Sequence, residues 1–282
     1  MGFIKMQHNK PTAIFLGSKP GSVVALSLLL ARGWEIKYVV ISKSISHPWI
    51  SGQTLAQLAQ ENNIKVITQA EIPRDESVDF VISYMYRHLV KGDVITMGKR
   101  AAVNFHAGPL PGYGGWAFYN VAILENASEY GCTCHYMDEG FDTGPIFKVR
   151  QFPVNTSLET ACSLERKTQR EMIKLFIDFC NIVETEDTLP FEKQDKTKFR
   201  YLKQTEFDAL KRIPPDADEE TIQRYARAFW FPPYECAYTM MGGTRVEVIP
   251  AIVKEEIAKF IHHNDLDDLN QAACDYLLAL QD

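Results

Sequence analysis

No stretch of the 282-residue sequence carries an apolar run near the roughly 20 residues that a membrane span requires. The opening residues, MGFIKMQHNKP, hold scattered basic side chains but no apolar stretch, so they do not read as a secretory signal. Cysteine is sparse. Six thiols without the spacing of a disulfide-stapled domain read as free cysteines in a reducing compartment, so the cytoplasm is expected. Internal repeats and low-complexity tracts are missing. Positive charge is scarce in the last third: residues 1–182 carry a net +2 and residues 183–282 a net −8. Phosphate contacts dominate nucleic-acid affinity, so so acidic a C-terminal part is a poor partner for nucleic acid. Most of its carboxylates read as a solvated face.

The first two thirds alternate between strand and helix patterns. "TAIFLG" (12–17) is a short apolar run ended by Gly17, and a helix follows that Ser22 is placed to cap and Gly33 to close. "EIKYVVIS" (35–42), "IKVIT" (64–68), "DFVISY" (79–84) and "AAVNF" (101–105) read as further strands. Helical spacing appears over 54–63 and in a short segment at 91–97. This alternation predicts an α/β fold, a Rossmann-like, doubly wound and mostly parallel sheet. "GCTCHYM" (131–137) and "PIFKVRQFPV" (145–154) read as neighbouring strands on it, followed by a long amphipathic helix over 157–183. Polar sequence without a clear period around 184–195 places a domain boundary there. The expected division is a catalytic domain over 1–186 and a smaller α+β accessory domain over 187–282, serving substrate binding or dimerisation.

Two motifs look chemical and are weak. "LGSKPG" places a Gly-rich turn between a strand and a helix. It lacks the third glycine of a dinucleotide loop, and no acidic residue ends the second strand. Cys132-Thr-Cys134-His135 has no second ligand pair at a useful distance, so buried core thiols are expected and no metal. The adjacent histidines His262-His263 read as exposed helix. The aromatic group Phe229–Tyr234 reads as core or dimer packing.

The stretch "AAVNFHAGPLPGYGGW" (101–116) is different. Strand alternation sends Asn104 and His106 to one face at the carboxyl end of a buried strand, where open α/β sheets form their sites. Glycines 108, 112, 114 and 115 permit close approach of a ligand to the backbone, while Pro109 and Pro111 stiffen the loop. A second loop, "MDEGFDTGP" (137–145), holds three carboxylates, and Asp142 faces His106 if the two strands are neighbours. An amide, an imidazole and a carboxylate suit acyl transfer to an amine: a base, an oxyanion donor and a group that orients the imidazole or moves protons. No serine or cysteine accompanies the histidine in its loop, so direct transfer fits better than a covalent acyl-enzyme.

This arrangement resembles the folate-dependent formyltransferases over residues 10–183. It has Asn104-Phe-His106, then Leu110-Pro-Gly-Tyr113-Gly-Gly115, then Asp142-Thr-Gly144-Pro-Ile146, with Asp142 following His106 by 36 residues. The segment "VISYMYRHLVKGDVI" resembles the family's pterin pocket. The resemblance implies the formyltransferase fold and 10-formyltetrahydrofolate as cosubstrate, with Asn104, His106 and Asp142 catalytic. It implies a pterin ring held by Tyr86, His88, Leu89 and Val90 on one side and Met137, Asp138 and Gly140 on the other. Among its members the chain is most like nucleotide-sugar N-formyltransferases of lipopolysaccharide O-antigen biosynthesis, which implies a nucleotide-diphosphate amino sugar as acceptor and a homodimer. Two positions depart from the family pattern: Gly108-Pro109 replaces Ser-Leu, and Gly114 stands where arginine is frequent.

The acceptor is then read from position. Tyr113, Trp116 and Tyr119 follow His106 directly and are expected around the hexose, with Phe118 in the core. Arg227, with Arg87, Arg200 and Lys203 as weaker candidates, is expected near the diphosphate. Methionyl-tRNA formylation would want a basic C-terminal part. Glycinamide-ribotide formylation would leave the last 100 or so residues without a role. A non-catalytic folate or sugar binder would not need the intact trio.

Overall fold

The computed structural model describes residues 10–17, 19–41, 52–115 and 118–254. Its first strand, β1 (Thr12–Gly17), is apolar on both faces and almost wholly buried. Such a strand needs helices on both sides of its sheet. The helix α1 (Pro20–Ala31) follows. Ser22, expected to cap it, lies inside its first turn instead, where Oγ donates to the Lys19 carbonyl at 2.6 Å. The helix starts early because Pro20, with fixed φ and no N–H to satisfy, suits the first helical position. Gly33 closes it as expected, in the left-handed region at φ +79°.

The alternation continues through β2 (Glu35–Ile41), α2 (Leu55–Glu61), β3 (Lys65–Ile67), β4 (Val78–Tyr84), the one-turn α3 (Gly92–Ile95) and β5 (Gly98–His106). Next come the two-residue β6 (Gly114–Gly115), α4 (Phe118–Leu124), β7 (Glu129–Tyr136), β8 (Ile146–Pro153) and the long α5 (Ala161–Thr185). α5 begins at Ala161, not at Ser157, because Thr160 caps it, accepting from the Ser163 N–H at 3.1 Å.

The sheet has seven strands in the order β3-β2-β1-β4-β5-β7-β8. The first five pair in parallel, and β7 and β8 add antiparallel. This is the mostly parallel, helix-covered sheet that the alternation predicts. Period-two burial divides each strand: Ala13 and Phe15 join the core under α1 and α5, while Ile14 and Leu16 join the opposite one. On β5, Phe105 is fully buried, with its ring 5.6 Å from Tyr84, 4.9 Å from Phe176 and 5.5 Å from Phe179.

Past residue 186 the chain returns to the sheet. Glu192 and Ile146 exchange two backbone hydrogen bonds, at 2.7 and 2.9 Å. A two-residue strand, β9 (Tyr201–Leu202), pairs in parallel with β6. Then come α6 (Gln204–Leu210), α7 (Glu219–Phe229) and an antiparallel hairpin, β10 (Ala237–Met241) with β11 (Thr244–Val248). α7 packs against α4, and Asn120 Nδ2 donates to the Ala228 carbonyl at 2.6 Å. Phe229 is buried, 5.4 Å from the Phe207 ring. Among the described residues no helix is long and apolar enough to cross a membrane. Trp116 and the pair His262-His263 lie outside the described residues.

Because Phe105 lies between Asn104 and His106 and anchors the end of β5 among three rings, Phe105→Ala should destabilise the fold by about 3–5 kcal/mol. Urea unfolding measures it, and a loss under about 1 kcal/mol would show that the ring cluster does not hold this strand.

Candidate active site

Three strands set one polar row by register. Ser83 on β4 lies beside Asn104 on β5, and His135 on β7 lies on the other side. Ser83 Oγ donates to Asn104 Oδ1 at 2.7 Å. That turns the Asn104 NH2 toward His135, whose Nε2 is 3.1 Å away. His135 Nδ1 donates to the Tyr136 carbonyl at 2.8 Å, so its Nε2 is free to accept. The Asn104 amide is thereby fixed in orientation, and its second hydrogen has no partner among the described residues.

Two residues further along β5, His106 is buried, with its ring edge-on to Phe118 at 4.7 Å. Its Nε2 donates to the Tyr113 carbonyl at 2.6 Å, and its Nδ1 lies 3.5 Å from Asp142 Oδ1. The same Asp142 oxygen is 3.5 Å from His135 Nε2. Asp142 sits at φ +57°, a left-handed turn that aspartate tolerates better than most residues. Its Oδ2 accepts from the Gly115 N–H at 2.9 Å. Gln194 Nε2 donates to the Asp142 carbonyl at 2.8 Å and to the Gly144 carbonyl at 2.7 Å, so the turn is tied from the far side.

The electrostatics follow from burial. Burial pushes the His106 pKa below 6.5, and the opposing Asp142 charge and Tyr113 carbonyl do not reverse it, so the ring is neutral. Burial pushes Asp142 up, but the two imidazoles and the Gly115 N–H outweigh it and hold the carboxyl well below its ordinary 3.8. The chain therefore places an oriented amide donor, a neutral imidazole and an ionised carboxylate around one point. The thiols nearby do not compete as nucleophiles. Cys132 and Cys134 are buried in β7, with Cys132 pushed up to about 12 and Cys134 also raised by desolvation.

The loops expected at the pterin leave the sheet on either side of β5. Tyr86 and Met137 pack against the same apolar cluster, and Val90 is buried within it. Tyr86 meets His88 edge-on at 5.4 Å, and the Leu89 carbonyl accepts from Gln69 Nε2 at 3.1 Å. Asp138 Oδ1 accepts from the Gly140 N–H at 3.0 Å and from Thr143 Oγ1 at 2.6 Å, which shapes the second loop.

Two expectations about the acceptor side reverse. Tyr119 is buried in the core, only 6% exposed, whereas Phe118 is half-buried and borders His106. Consecutive helical residues point about 100° apart, and on α4 it is Tyr119 that turns inward, its ring 5.9 Å from that of buried Tyr130. Tyr113 stays at the rim, half-buried, its hydroxyl 3.4 Å from Glu125, which also pairs with Arg200. Arg227 donates to the Thr156 carbonyl at 3.2 Å. Ser83 and Gln194 were not singled out by sequence, and His135 was weighed only as part of the motif with Cys132 and Cys134. A polar residue in an otherwise apolar strand, such as Ser83 in "VISY", was the available signal.

Residues 40–179 match the formyl transferase family. The chain is 33% identical over 175 residues to the GDP-perosamine N-formyltransferase of Brucella melitensis, covering 62% of this chain and 65% of that one. The match thus spans just under two thirds of that relative. It is 27% identical over 261 residues to the methionyl-tRNA formyltransferase of Geobacter sulfurreducens, covering 86% of this chain and 78% of that one. The fold matches the crystal structure of an N-formyltransferase from Helicobacter canadensis in complex with folinic acid and dTDP-3-aminofucose. The TM-score there is 0.70 at 24% identity, covering 84% of this chain and 86% of the other.

Both buried groups weaken the fold in acid. For His106 the folded pKa lies below the unfolded 6.5, so its contribution is full above about pH 6.5 and declines below it. For Asp142 the contribution is full above about 3.8 and is lost as pH falls further. Tm should therefore fall in two stages on acidification, and Asp142→Asn should flatten the lower stage. A variant whose Tm tracks the wild type below pH 4 would refute the assignment of that stage to Asp142.

Proposed function

We propose that the protein transfers a formyl group from 10-formyltetrahydrofolate to the primary amine of a nucleotide-linked amino sugar. The observation that carries this reading is the buried Asn104–His106–Asp142 constellation at the carboxyl end of a central strand. An alkylammonium cannot attack a carbonyl, so the amine needs a neutral base, and His106 is one. Attack pushes an electron pair onto the formyl oxygen, and the unpartnered Asn104 hydrogen is the donor for that charge. Asp142 stabilises the imidazolium that forms and assists return of the proton to the leaving nitrogen. No nucleophilic serine or cysteine is needed.

We place the pterin ring between residues 85–90 and 137–142, because Tyr86, Val90 and Met137 from the two loops share one apolar cluster. The sugar is placed beside Tyr113 and Phe118, next to His106. The relatives support this choice of substrates: the Brucella protein is named for a nucleotide sugar, and the Helicobacter structure holds a folate and a nucleotide amino sugar. One observation favours a second reading, methionyl-tRNA formylation, because relatives of that name match 86% of the chain. The net charge of −8 over residues 183–282 opposes it.

Remote binding energy from the nucleotide should position the amine, so kcat/KM for a nucleotide-linked amino sugar should exceed that for the free sugar by orders of magnitude. Release of tetrahydrofolate measures both, with charged initiator tRNA as the third acceptor. Equal values for the two sugars, or preference for tRNA, would overturn the acceptor.

With the acceptor so found, His106→Ala should lower kcat by about 100-fold or more, and Asn104→Ala by about 100- to 1000-fold. Folate binding should persist in both. An Asn104→Ala enzyme that loses folate affinity but keeps its kcat would make Asn104 a binding residue only.

A further inference from the structure

The turn that carries Asp142 is braced unevenly. Its base is closed where β7 and β8 meet, with the Tyr136 N–H donating to the Pro145 carbonyl at 2.8 Å. Its outer half folds on Asp138, whose Oδ1 takes the Gly140 N–H at 3.0 Å and the Thr143 hydroxyl at 2.6 Å. Asp142 itself sits in the left-handed region at φ +57°, where a residue other than glycine stays only if its surroundings hold it. Among the described residues, the carbonyls of Asp142 and Gly144 take hydrogen bonds from one group alone. That group is Nε2 of Gln194, at 2.8 and 2.7 Å.

Resting on the formyl-transfer reading, we propose that Gln194 is a positioning residue for the reaction: by holding both carbonyls it aims the Asp142 carboxylate at His106. Both neighbours are acceptors, so the end of the amide that meets them is the NH2, and each of its two hydrogens has one carbonyl to bond. Without that nitrogen the two carbonyl oxygens would face each other with like partial charge, which favours opening the turn. The side chain is well placed for the task because its backbone is fixed to the same sheet edge. Two residues earlier, Glu192 exchanges backbone hydrogen bonds with Ile146, the first residue of β8, at 2.7 and 2.9 Å. One residue later, Asp195 turns the chain, its Oδ1 accepting from the Thr197 N–H at 3.0 Å and the Thr197 hydroxyl at 2.6 Å. The brace thus comes from beyond residue 186, outside the part of the chain expected to be catalytic.

A displaced carboxylate would be felt at His106. Asp142 Oδ1 lies 3.5 Å from His106 Nδ1, and its charge opposes the burial that lowers the His106 pKa. Two other titratable groups face Asp142. His135 is 3.5 Å from the same oxygen, and the Tyr201 phenol on β9 is raised by burial and then by the Asp142 charge. Neither is an anion at neutral pH, so neither can take the place of Asp142. Misalignment of Asp142 therefore lets burial lower His106 further and weakens it as a base.

Two variants test this. Gln194→Ala removes the amide, and Gln194→Met keeps the length of the side chain but has no hydrogen to give. In both, His106 should titrate at lower pH than in the wild type, followed in 15N-histidine-labelled protein with His106→Gln to assign the signal. In both, kcat should fall by about tenfold or more. A brace that served stability alone would lower Tm and leave the His106 titration where it was, and that result would overturn the proposal. Wild-type kcat in a folded variant would overturn it as well. Should Gln194→Ala not fold, Gln194→Met, which leaves no hole, decides. The titration needs no substrate, so failure of the formyl-transfer reading is seen separately, as a wild type that releases no tetrahydrofolate with any amine acceptor.

Discussion

Asp142 is a carboxylate with only 11% of its side chain exposed, and the site is built around keeping it charged there. Removing a carboxylate from water carries a penalty of several kcal/mol unless its oxygens find partners. Here one oxygen takes a backbone N–H from Gly115, and the other lies 3.5 Å from a nitrogen of His106 and of His135, which attract it fully once a ring takes up a proton. Each partner comes from a different piece of chain: β5, β7 and the glycine-rich loop. The carboxylate can therefore be buried only if all three pieces are in place, which ties the charge state of the site to its tertiary structure.

The sheet topology supplies those pieces. Parallel order as far as β5 puts Asn104 and His106 at the carboxyl edge, the usual place for a site in an open α/β sheet. The reversal at β7 matters as much. An antiparallel neighbour sets His135 directly opposite Asn104, and its exit leads straight into the turn that carries Asp142. A parallel strand in that position would have needed a long crossover and delivered its loop at the edge, not across Asn104. Ser83, in register on the other side, completes the row and fixes which end of the amide faces which neighbour.

Period-two and helical patterns made the sheet legible in the sequence, together with the carboxyl-edge position of Asn104 and His106, because those signals are local. What escaped was set by pairing between distant segments. His135 looked like part of a cysteine-containing core strand, and only its register opposite Asn104 gives it a place in the site. Phe118 and Tyr119 exchanged roles because α4 is docked by distant segments, with Tyr119 against Tyr130 and Asn120 on the Ala228 carbonyl. Ser22 lost its capping position to Pro20, whose conformational restriction outweighed a side-chain hydrogen bond. In each case a constraint from outside the local window won.

The segment from Glu192 to Leu202 carries the same lesson into function. By composition it belongs to an acidic C-terminal part, polar and without a clear period. By contact it laces the two site loops together. Glu192 pairs with the start of β8, Gln194 holds the Asp142 turn, and Arg200 to Leu202 hold the loop that presents Tyr113 and Gly115. These are mostly backbone pairs, so their strength does not depend on the charge of the segment. Because Gly115 donates to Asp142 and Tyr113 accepts from His106, a shift of this strand moves both partners of the imidazole and the carboxylate together. The C-terminal part thus fixes the geometry of both loops, while Arg200 and Tyr113 share Glu125 at the rim.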